Sequence, residues 1–255
     1  MTATTGVPCW MDLLTSDTGR AREFYGRVFG WTAAEASPEF GGYFMFFNDG
    51  APVAGCMPVM TGMDIADVWG TYLATRDAQA TLAAVAEHGG TVRVPAEPVA
   101  DLGTQAVLED PDGARIGIWQ ADTFPGFGLI GTGKPGTPAW FELHARNYAA
   151  AVAFYRDALG WAPKVMGDTP EFRLSAIEDG RQTVAGIMDA TGYLTEGEAP
   201  SWDIYVSVAD TDKTLALAAE LGGRVIQEGM DTPFGILGTA LDPMGARFKV
   251  ISKGA

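Results

Sequence analysis

The chain contains one stretch of sequence twice. The first copy runs from Pro8 to Trp31 and the second from Pro138 to Trp161, and the two align without a gap at an offset of about 130 residues. The matched pairs include Trp10 with Trp140, Asp12 with Glu142, Phe24-Tyr25 with Phe154-Tyr155, and Gly30-Trp31 with Gly160-Trp161. An internal repeat constrains the fold more strongly than a local motif, because both copies must form the same supersecondary unit.

The repetition continues through the rest of both halves with small insertions. The matching segments are Val53-Ala54-Gly55 with Val184-Ala185-Gly186, Gly89-Gly90 with Gly222-Gly223, and Asp110-Pro111 with Asp242-Pro243. The duplication therefore covers nearly the whole chain.

Within the first half, hydrophobic periodicity and turn residues predict the same order of strands and helix twice. The predicted elements are a strand over 7–15, a helix over 18–29, a hairpin of 43–47 with 53–57, a strand over 69–75, a helix over 78–88, and strands near 91–94, 104–109 and 115–120. Asn48-Asp49-Gly50 supplies the hairpin turn. Each half therefore consists of two βαβββ modules, and the chain has four.

A Gly- and Pro-rich segment over 124–137 separates the halves. We predict a first domain over 1–123, this linker, and a second domain over 138–255. The expected fold class is α+β, with four tandem βαβββ modules forming two pseudo-symmetric domains with curved mixed sheets. The competing arrangement pairs modules across the halves, the first with the fourth, and the linker is long enough for either.

Composition limits the partners. The formal charge of -15 repels phosphate backbones and anionic membrane surfaces, so we expect neither nucleic acid nor membrane as a partner. Cys9 and Cys56 form no CxxC pair, and the first residues lack a basic leader with an apolar core. We expect a cytoplasmic protein, monomeric or homodimeric, whose partner is a small molecule.

These features together resemble the vicinal oxygen chelate superfamily, which includes glyoxalases, bleomycin-resistance proteins and extradiol dioxygenases. The resemblance is carried by four βαβββ modules, a Phe-Tyr pair late in the first helix followed by Gly-Trp, an Ala-Gly dipeptide in the middle hairpin, and the Asp110-Pro111 type of turn. The paired openings at Trp10 and Trp140 are similar to those of two-domain proteins described as glyoxalase-like or hydroxylase-like. The resemblance implies a cup-shaped site in each half.

The resemblance also implies a divalent metal, held by His or Gln on the opening strands and Glu on the closing strand. Counted from the predicted helix caps, the ligand positions fall on Trp10, Gly70 and Gly117 in the first half and on Trp140, Asp203 and Lys249 in the second. Of these, only Asp203 carries a metal-binding side chain, and the Lys249 ammonium opposes a cation. We therefore expect no metal and no cofactor.

Strand alternation predicts the side chains that face each cup, since residues two apart share a face. The first cup receives Trp10, Asp12, Leu14, Gly70, Tyr72, Arg115, Gly117 and Trp119. The second receives Trp140, Glu142, His144, Asp203, Tyr205, Arg247 and Lys249. Aromatic walls with a few polar groups are typical of small-molecule sites.

The predicted catalytic residues are Glu142, His144, Tyr205, Asp12 and Tyr72. The predicted substrate-binding residues are Trp10, Trp140, Asp203, Arg115, Trp119, Arg247 and Lys249. Structural alternatives stand beside these roles: the tryptophans as core aromatics, the tyrosines as packing residues, Asp12 and Glu142 as ion-pair partners of Arg115 and Arg247, and His144 as a rim residue.

Three functions follow from this interpretation. The leading one is a metal-independent protein that binds a small organic molecule or catalyses proton transfer, a lyase, isomerase or hydroxylase-like step on it. The second is a metal-dependent glyoxalase or dioxygenase, and the third is a non-catalytic interaction protein. We expect the second cup to carry the chemistry, because it holds more titratable groups, with Glu142 or His144 moving the proton.

Overall fold

A computed structural model describes residues 4–60, 62–63, 67–179 and 182–253. In the first half its elements are β1 (Pro8–Thr15), α1 (Thr18–Phe29), β2 (Thr32–Ala33), β3 (Phe44–Asn48), β4 (Ala51–Pro58), β5 (Val68–Ala74), α2 (Ala78–Glu87), β6 (Thr91–Val99), β7 (Gly103–Glu109) and β8 (Arg115–Ala121). In the second half they are β9 (Pro138–Ala145), α3 (Tyr148–Leu159), β10 (Lys164–Asp168), β11 (Arg173–Asp179), β12 (Gln182–Asp189), β13 (Ser201–Ser207), α4 (Thr211–Glu220), β14 (Arg224–Thr232), β15 (Gly235–Leu241) and β16 (Arg247–Ser252).

The strands form two eight-stranded mixed sheets with the same strand order. The first sheet runs β2-β3-β4-β1-β5-β8-β7-β6 and the second β10-β11-β12-β9-β13-β16-β15-β14. Parallel pairs join β1 to β4, β5 to β8, β9 to β12 and β13 to β16, whereas the hairpins are antiparallel. The predicted α+β class with four βαβββ modules is confirmed, and each sheet is built from one half of the chain.

The helices begin and end as their sequences predict. Each is capped by a side chain that accepts from a backbone N–H of the first turn, and the four caps are Asp17, Asp77, Asn147 and Asp210. Gly30 and Gly160 end α1 and α3 in the left-handed conformation, with φ of 72° and 71°. The caps fix where the preceding strands stop. They therefore also fix which side chains of β1 and β9 lie on the same face of the strand.

Two details of the strands differ from the sequence prediction. β6 extends to Val99, through Pro95 and Pro98, and it is the edge strand of its sheet, where proline is tolerated. The two-residue strand β2 at the opposite edge was not predicted. The hairpin turn is as expected, with Asp49 and Gly50 both at positive φ.

The contacts group the chain into two compact units that interleave the halves. One contains the described residues up to Trp10, Thr71–Gly126 and Trp140–Trp202. The other contains Met11–Gly70, Phe127–Ala139 and the residues from Asp203 onward. The first unit thus joins the second and third modules, and the second unit joins the first and fourth.

Each compact unit contains a buried hydrogen-bonded chain of Trp, Tyr and Asp. In the second unit the Trp69 indole donates to the Tyr25 hydroxyl at 3.0 Å, and that hydroxyl donates to Asp242 Oδ2 at 3.0 Å. The Phe-Tyr pairs are therefore helix–sheet core, as predicted.

The corresponding chain of the first unit runs from Trp202 through Tyr155 to Asp110, at 2.8 and 3.4 Å. Both chains tie a helix of one half to a turn of the other half. The domain boundaries 1–123 and 138–255 stay a proposal. No helix among the described residues is long and apolar enough to cross a membrane.

Candidate functional site

The opening strand of the second half presents three polar or amphipathic side chains in alternation. On β9, Trp140 Nε1 donates to Glu142 Oε1 at 3.1 Å, and His144 Nε2 lies 2.9 Å from Glu142 Oε2. The Glu142 side chain is 9% exposed and that of His144 12%. Because each carboxylate oxygen has a donor, Glu142 is held in one orientation, and these charge-assisted contacts offset part of the cost of its burial.

A glycine on the neighbouring strand makes room for this group. Gly186 on β12 lies beside Glu142 in the parallel pairing, and a Cβ there would lie 2.7 Å from Trp140 Cζ2. The Ala-Gly dipeptide of the second half therefore leaves the space that the indole occupies.

Two cationic side chains on β16 contact one buried carboxylate on β13. Asp203 on β13, 5% exposed, lies 3.3 Å from Arg247 Nε and 2.9 Å from Lys249 Nζ, both on β16. Lys249 also donates to the Tyr205 hydroxyl at 3.1 Å, and its Nζ lies 4.9 Å from the centre of that ring. Tyr205 and Lys249 are direct partners in the β13–β16 ladder. These four predicted residues are thus brought together.

In the first half, the acid at the corresponding position has a different partner. Asp12 Oδ1 on β1 accepts a hydrogen bond from the Tyr43 hydroxyl at 2.9 Å. Gly55 on β4 lies beside Asp12, and a Cβ there would lie 2.0 Å from both Asp12 Oδ1 and the Tyr43 hydroxyl. The Ala-Gly dipeptide again leaves the space for the group that holds the acid.

The sequence prediction missed Tyr43, and it treated the two Ala-Gly glycines only as markers of the repeat and of the family resemblance. Recurrence of glycine at Gly55 and Gly186 was a visible signal that a side chain approaches β4 and β12 closely. Tyr43 carried no such signal, since it lies just before β3 and meets Asp12 only in the folded chain.

The remaining first-half candidates lie in an aromatic environment. Trp10 is 5% exposed and meets Phe124 edge-to-face at 4.9 Å, and Trp119 Nε1 donates to the Phe124 carbonyl at 2.8 Å. The Tyr72 ring covers Gly117, where a Cβ would lie 2.3 Å from the ring. Substitution at Gly117 is therefore blocked by Tyr72.

Arg115 has an ion-pair partner on the adjacent strand. Its Nε lies 2.8 Å from Glu109 Oε1, and Arg93 contacts the other oxygen of the same carboxylate. Hydrogen bonds from Arg93, with a further contribution from Arg115, lower the pKa of Glu109 below its ordinary value. Arg115 thus has a structural role beside its predicted contact with a substrate.

Two cavities are present in the first compact unit. One, of about 360 Å³, lies between the start of α2 and the end of α3 and is lined by Leu73, Ala80 and Leu159 among others. The other, of about 260 Å³, is lined by Cys9, Trp119 and neighbouring residues of β5 and β8. Of the predicted site residues, only Trp119 lines either cavity.

The sequence is similar to known protein families and to named proteins. The model of the glyoxalase/bleomycin resistance protein/dioxygenase superfamily matches residues 9–118, and the model of a glyoxalase-like domain matches residues 140–251. The anthracycline biosynthesis protein DauV of Streptomyces sp. strain C5 is 35% identical over 272 residues, covering 96% of this chain and 93% of the relative. The putative glyoxylase CFP32 of Mycobacterium tuberculosis is 34% identical over 251 residues, covering 96% and 94%.

The chain belongs to the glyoxalase/bleomycin resistance protein/dioxygenase superfamily. Solved structures share its fold. The Mn(II)-bound glyoxalase from Novosphingobium aromaticivorans has a TM-score of 0.67 at 17% identity, covering 98% of this chain and 83% of that one. The 2,3-dioxygenase LapB from Pseudomonas sp. KL28 has a TM-score of 0.63 at 15% identity, covering 100% and 94%. At these identities the likeness concerns the fold alone.

The residues at the metal positions that the resemblance predicts do not fit a metal ion. In the first half these positions hold Trp10, which packs against Phe124, and two glycines without side-chain donors. In the second half the Trp140 N–H is directed at Glu142, and the Lys249 ammonium contacts Asp203. An indole N–H and an ammonium are donors that supply no lone pair to a cation. Among the described residues, no group of three His, Cys, Asp or Glu side chains converges as a metal site.

Proposed function

We propose that this protein acts without a metal ion, binding a small aromatic metabolite and transferring a proton with His144. The observation that carries the proposal is the contact of His144 Nε2 with Glu142 Oε2, a carboxylate whose other oxygen is held by Trp140. A buried, oriented carboxylate that holds an imidazole is a recurring arrangement for a general base.

In this proposal the two residues have different roles. A neutral His144 that donates from Nε2 to Glu142 has its lone pair on Nδ1, so Nδ1 is the atom that takes the proton. Glu142 then fixes the ring and stabilises the imidazolium that forms. Such a base contributes about a hundred-fold or more to a rate.

The other candidates of the second half keep the roles predicted for them. Asp203, Arg247 and Lys249, which lie on β13 and β16 in the second compact unit, are proposed to bind a ligand. Tyr205 of the same unit is proposed to donate to an oxyanion on that ligand. Trp140 is proposed to contact the substrate as well as to hold Glu142.

The first half is proposed to contribute binding rather than chemistry. Asp12 has a tyrosine partner and no histidine on its strand, because Leu14 occupies the position of His144. Trp10, Arg115 and Trp119 remain predicted substrate contacts of that half, and Tyr72, which the sequence predicts as catalytic, is proposed to bind substrate as well. Asp12 is therefore the matched comparison for Glu142.

The substrate class is inferred from the relatives. Two of them, at 35% and 36% identity, are named anthracycline biosynthesis proteins, and anthracyclines are planar polycyclic aromatic molecules. We therefore propose a secondary-metabolic aromatic compound with ionisable oxygens. The step is a proton transfer within a lyase, isomerase or hydroxylase-like reaction. The cytoplasmic location, the absence of nucleic-acid partners and a monomeric or homodimeric state remain predictions.

A metal-dependent glyoxalase is the second candidate. It is favoured by the name of the relative CFP32, a putative glyoxylase at 34% identity. The donor set at the metal positions argues against it. Saturable activation of the chelator-treated protein by a divalent ion would favour it.

The proposal is tested by a thermal-shift screen of protein treated with EDTA and then dialysed. We expect hydroxylated anthraquinones and related aromatic compounds to stabilise the protein, and aldehydes and nucleotides to have no effect. With the best compound as substrate, Glu142→Gln and His144→Ala should abolish turnover while Asp12→Asn retains it. Loss of activity in Asp12→Asn alone would place the working residues in the first half and refute the proposal.

A further inference from the structure

The smaller of the two cavities in the first compact unit lies where β5 and β8 end. Its volume is about 260 Å³, and its lining includes Cys9, Arg76, Trp119, Gln120, Ala121 and Pro125. We call it the Arg76 cavity. Pockets for drug-sized ligands measure about 300–1,000 Å³, so this cavity suits a smaller molecule, of about one aromatic ring.

Arg76 brings a positive charge to this cavity and has no ion pair of its own. It follows the end of β5 by two residues and is exposed, and it makes no hydrogen bond or ion pair with any residue that the structure describes. Asp77, its neighbour in sequence, caps α2 instead, because its Oδ1 accepts from the Ala80 N–H at 2.9 Å. The described lining of the cavity contains no carboxylate, so the guanidinium is available to an anionic ligand.

Gln120 supplies a second donor to the same cavity. Its Oε1 accepts from the N–H of Ala78, the first residue of α2, at 2.8 Å, and this contact fixes the orientation of the amide. The Nε2 group carries two N–H donors, which have no hydrogen-bond partner among the described residues. A guanidinium and an amide N–H group, both donors, are therefore available at one cavity.

Trp119 and Pro125 give the cavity apolar walls. The Trp119 indole is held in place, since its Nε1 donates to the Phe124 carbonyl at 2.8 Å and a Cβ on Gly103 would lie 2.5 Å from its ring. Because that N–H is already used, the indole offers a ligand its ring surface rather than a hydrogen bond. A flat apolar group is the kind of ligand that such a wall favours.

We infer that the Arg76 cavity binds a small aromatic carboxylate, with the carboxylate on Arg76 and Gln120 and the ring against Trp119. A guanidinium matches a carboxylate in shape and in charge, because two parallel N–H groups meet two oxygens. Inorganic phosphate suits the cavity less well, since it has no ring to place against the apolar walls. The inference goes beyond the proposed function, because it assigns a further binding site that contains neither Glu142 nor His144.

The test compares benzoate with benzamide, which has the same ring and a similar shape but no charge. Binding to the full chain is measured by isothermal titration calorimetry at neutral pH, where benzoate is ionised. We expect saturable binding of benzoate at one site per chain, about tenfold or more tighter than the binding of benzamide. Inorganic phosphate at equal concentration should not displace benzoate.

Two substitutions at the donors locate the site. Arg76→Gln should weaken benzoate binding about ten- to a hundredfold and leave benzamide binding unchanged, since it removes hydrogen bonds from a charged donor. Its Tm should match that of wild-type protein, because Arg76 has no described partner to lose. Gln120→Glu should also weaken benzoate binding, because the new carboxylate keeps an acceptor for the Ala78 N–H and repels the ligand.

Two further variants control for net charge and for folding. Arg27→Gln is the matched control, since Arg27 is an exposed arginine of α1 that lies outside the cavity and has no described partner, and it should bind benzoate as wild-type protein does. Ala121→Leu narrows the cavity while keeping Arg76 and Gln120, and it should abolish binding of benzoate and of benzamide.

The inference is overturned by absence of saturable benzoate binding, by equal binding of benzoate and benzamide, or by displacement of benzoate by phosphate. Unchanged benzoate binding in Arg76→Gln, or an equal loss in Arg27→Gln, overturns it as well. Its failure is distinct from failure of the proposed function. His144→Ala should bind benzoate as wild-type protein does, and catalysis by that variant would refute the proposed base and leave the carboxylate site standing.

Discussion

Replacing Tyr25 by phenylalanine should destabilise the protein far more than the loss of one oxygen suggests. The Tyr25 hydroxyl accepts from Trp69 Nε1 and donates to Asp242 Oδ2, each at 3.0 Å, and all three side chains are buried. Burial, followed by the nearby Asp242 charge, raises the pKa of Tyr25, so the hydroxyl remains a neutral donor at neutral pH.

The expected loss of stability follows from the two buried polar groups that lose a hydrogen-bond partner. Phenylalanine fits the same space but leaves a buried indole N–H and a buried carboxylate oxygen each short of one partner, at about 1–3 kcal/mol apiece. The carboxylate keeps three backbone N–H donors on Oδ1, from Met244, Gly245 and Ala246, so the lower part of that range applies to it. We expect a loss of about 3 kcal/mol, or about 6–12 °C in Tm for a chain of this size.

The loss should depend on pH. Burial raises the pKa of Asp242 above its ordinary value, and the Tyr25 hydrogen bond partly counteracts this, so Tyr25→Phe raises that pKa further. A carboxyl with a raised folded-state pKa contributes stability that is present below its unfolded pKa and is lost as pH rises through the folded pKa. The difference between variant and wild-type protein should therefore grow from acid to neutral pH.

Urea denaturation at several pH values measures both effects. Tyr148→Phe is the control, because its hydroxyl meets another hydroxyl, that of Ser175, at a part-buried site. It should cost about 1 kcal/mol or less, without the same pH trend. A loss under about 1 kcal/mol for Tyr25→Phe, or one that does not change with pH, would refute the reasoning.

Three further predictions concern the site and the halves. Gly186→Ala should displace the Trp140 indole and weaken substrate turnover at least tenfold, whereas Gly192→Ala, which has open space around it, should match wild-type kinetics; equal rates would show that the indole does not position Glu142. Tyr43→Phe should lower stability by about 1 kcal/mol in thermal melts and leave second-half turnover intact, and loss of turnover would implicate Asp12. Halves expressed separately should be unfolded by circular dichroism and recover on mixing, because each buried Tyr–Asp contact joins both halves; independent folding of each half would contradict this.

Much of the fold could be predicted because the repeat presents each signal twice. The side-chain caps Asp17 and Asn147 and the terminal glycines Gly30 and Gly160 fix both helices by local hydrogen bonding and left-handed backbone alone. Alternation then placed Glu142 and His144 on one face of β9, where they do meet. These features depend on residues close in sequence.

What escaped prediction depends on partners distant in sequence. Tyr25 meets Asp242 across 217 residues, and Tyr43 meets Asp12 across 31, and no local pattern specifies either pairing. The extension of β6 through Pro95 was missed for a related reason, since only the sheet order reveals that it is an edge strand.

The metal content of the purified protein tests the central claim most directly. The chain should be expressed without chelators, dialysed, and analysed by inductively coupled plasma mass spectrometry for nickel, zinc, iron and manganese. Because the predicted metal positions hold indoles, glycines and the Lys249–Asp203 pair, we predict no stoichiometric transition metal. One equivalent of a metal that survives dialysis and is lost in Asp203→Asn would contradict the account.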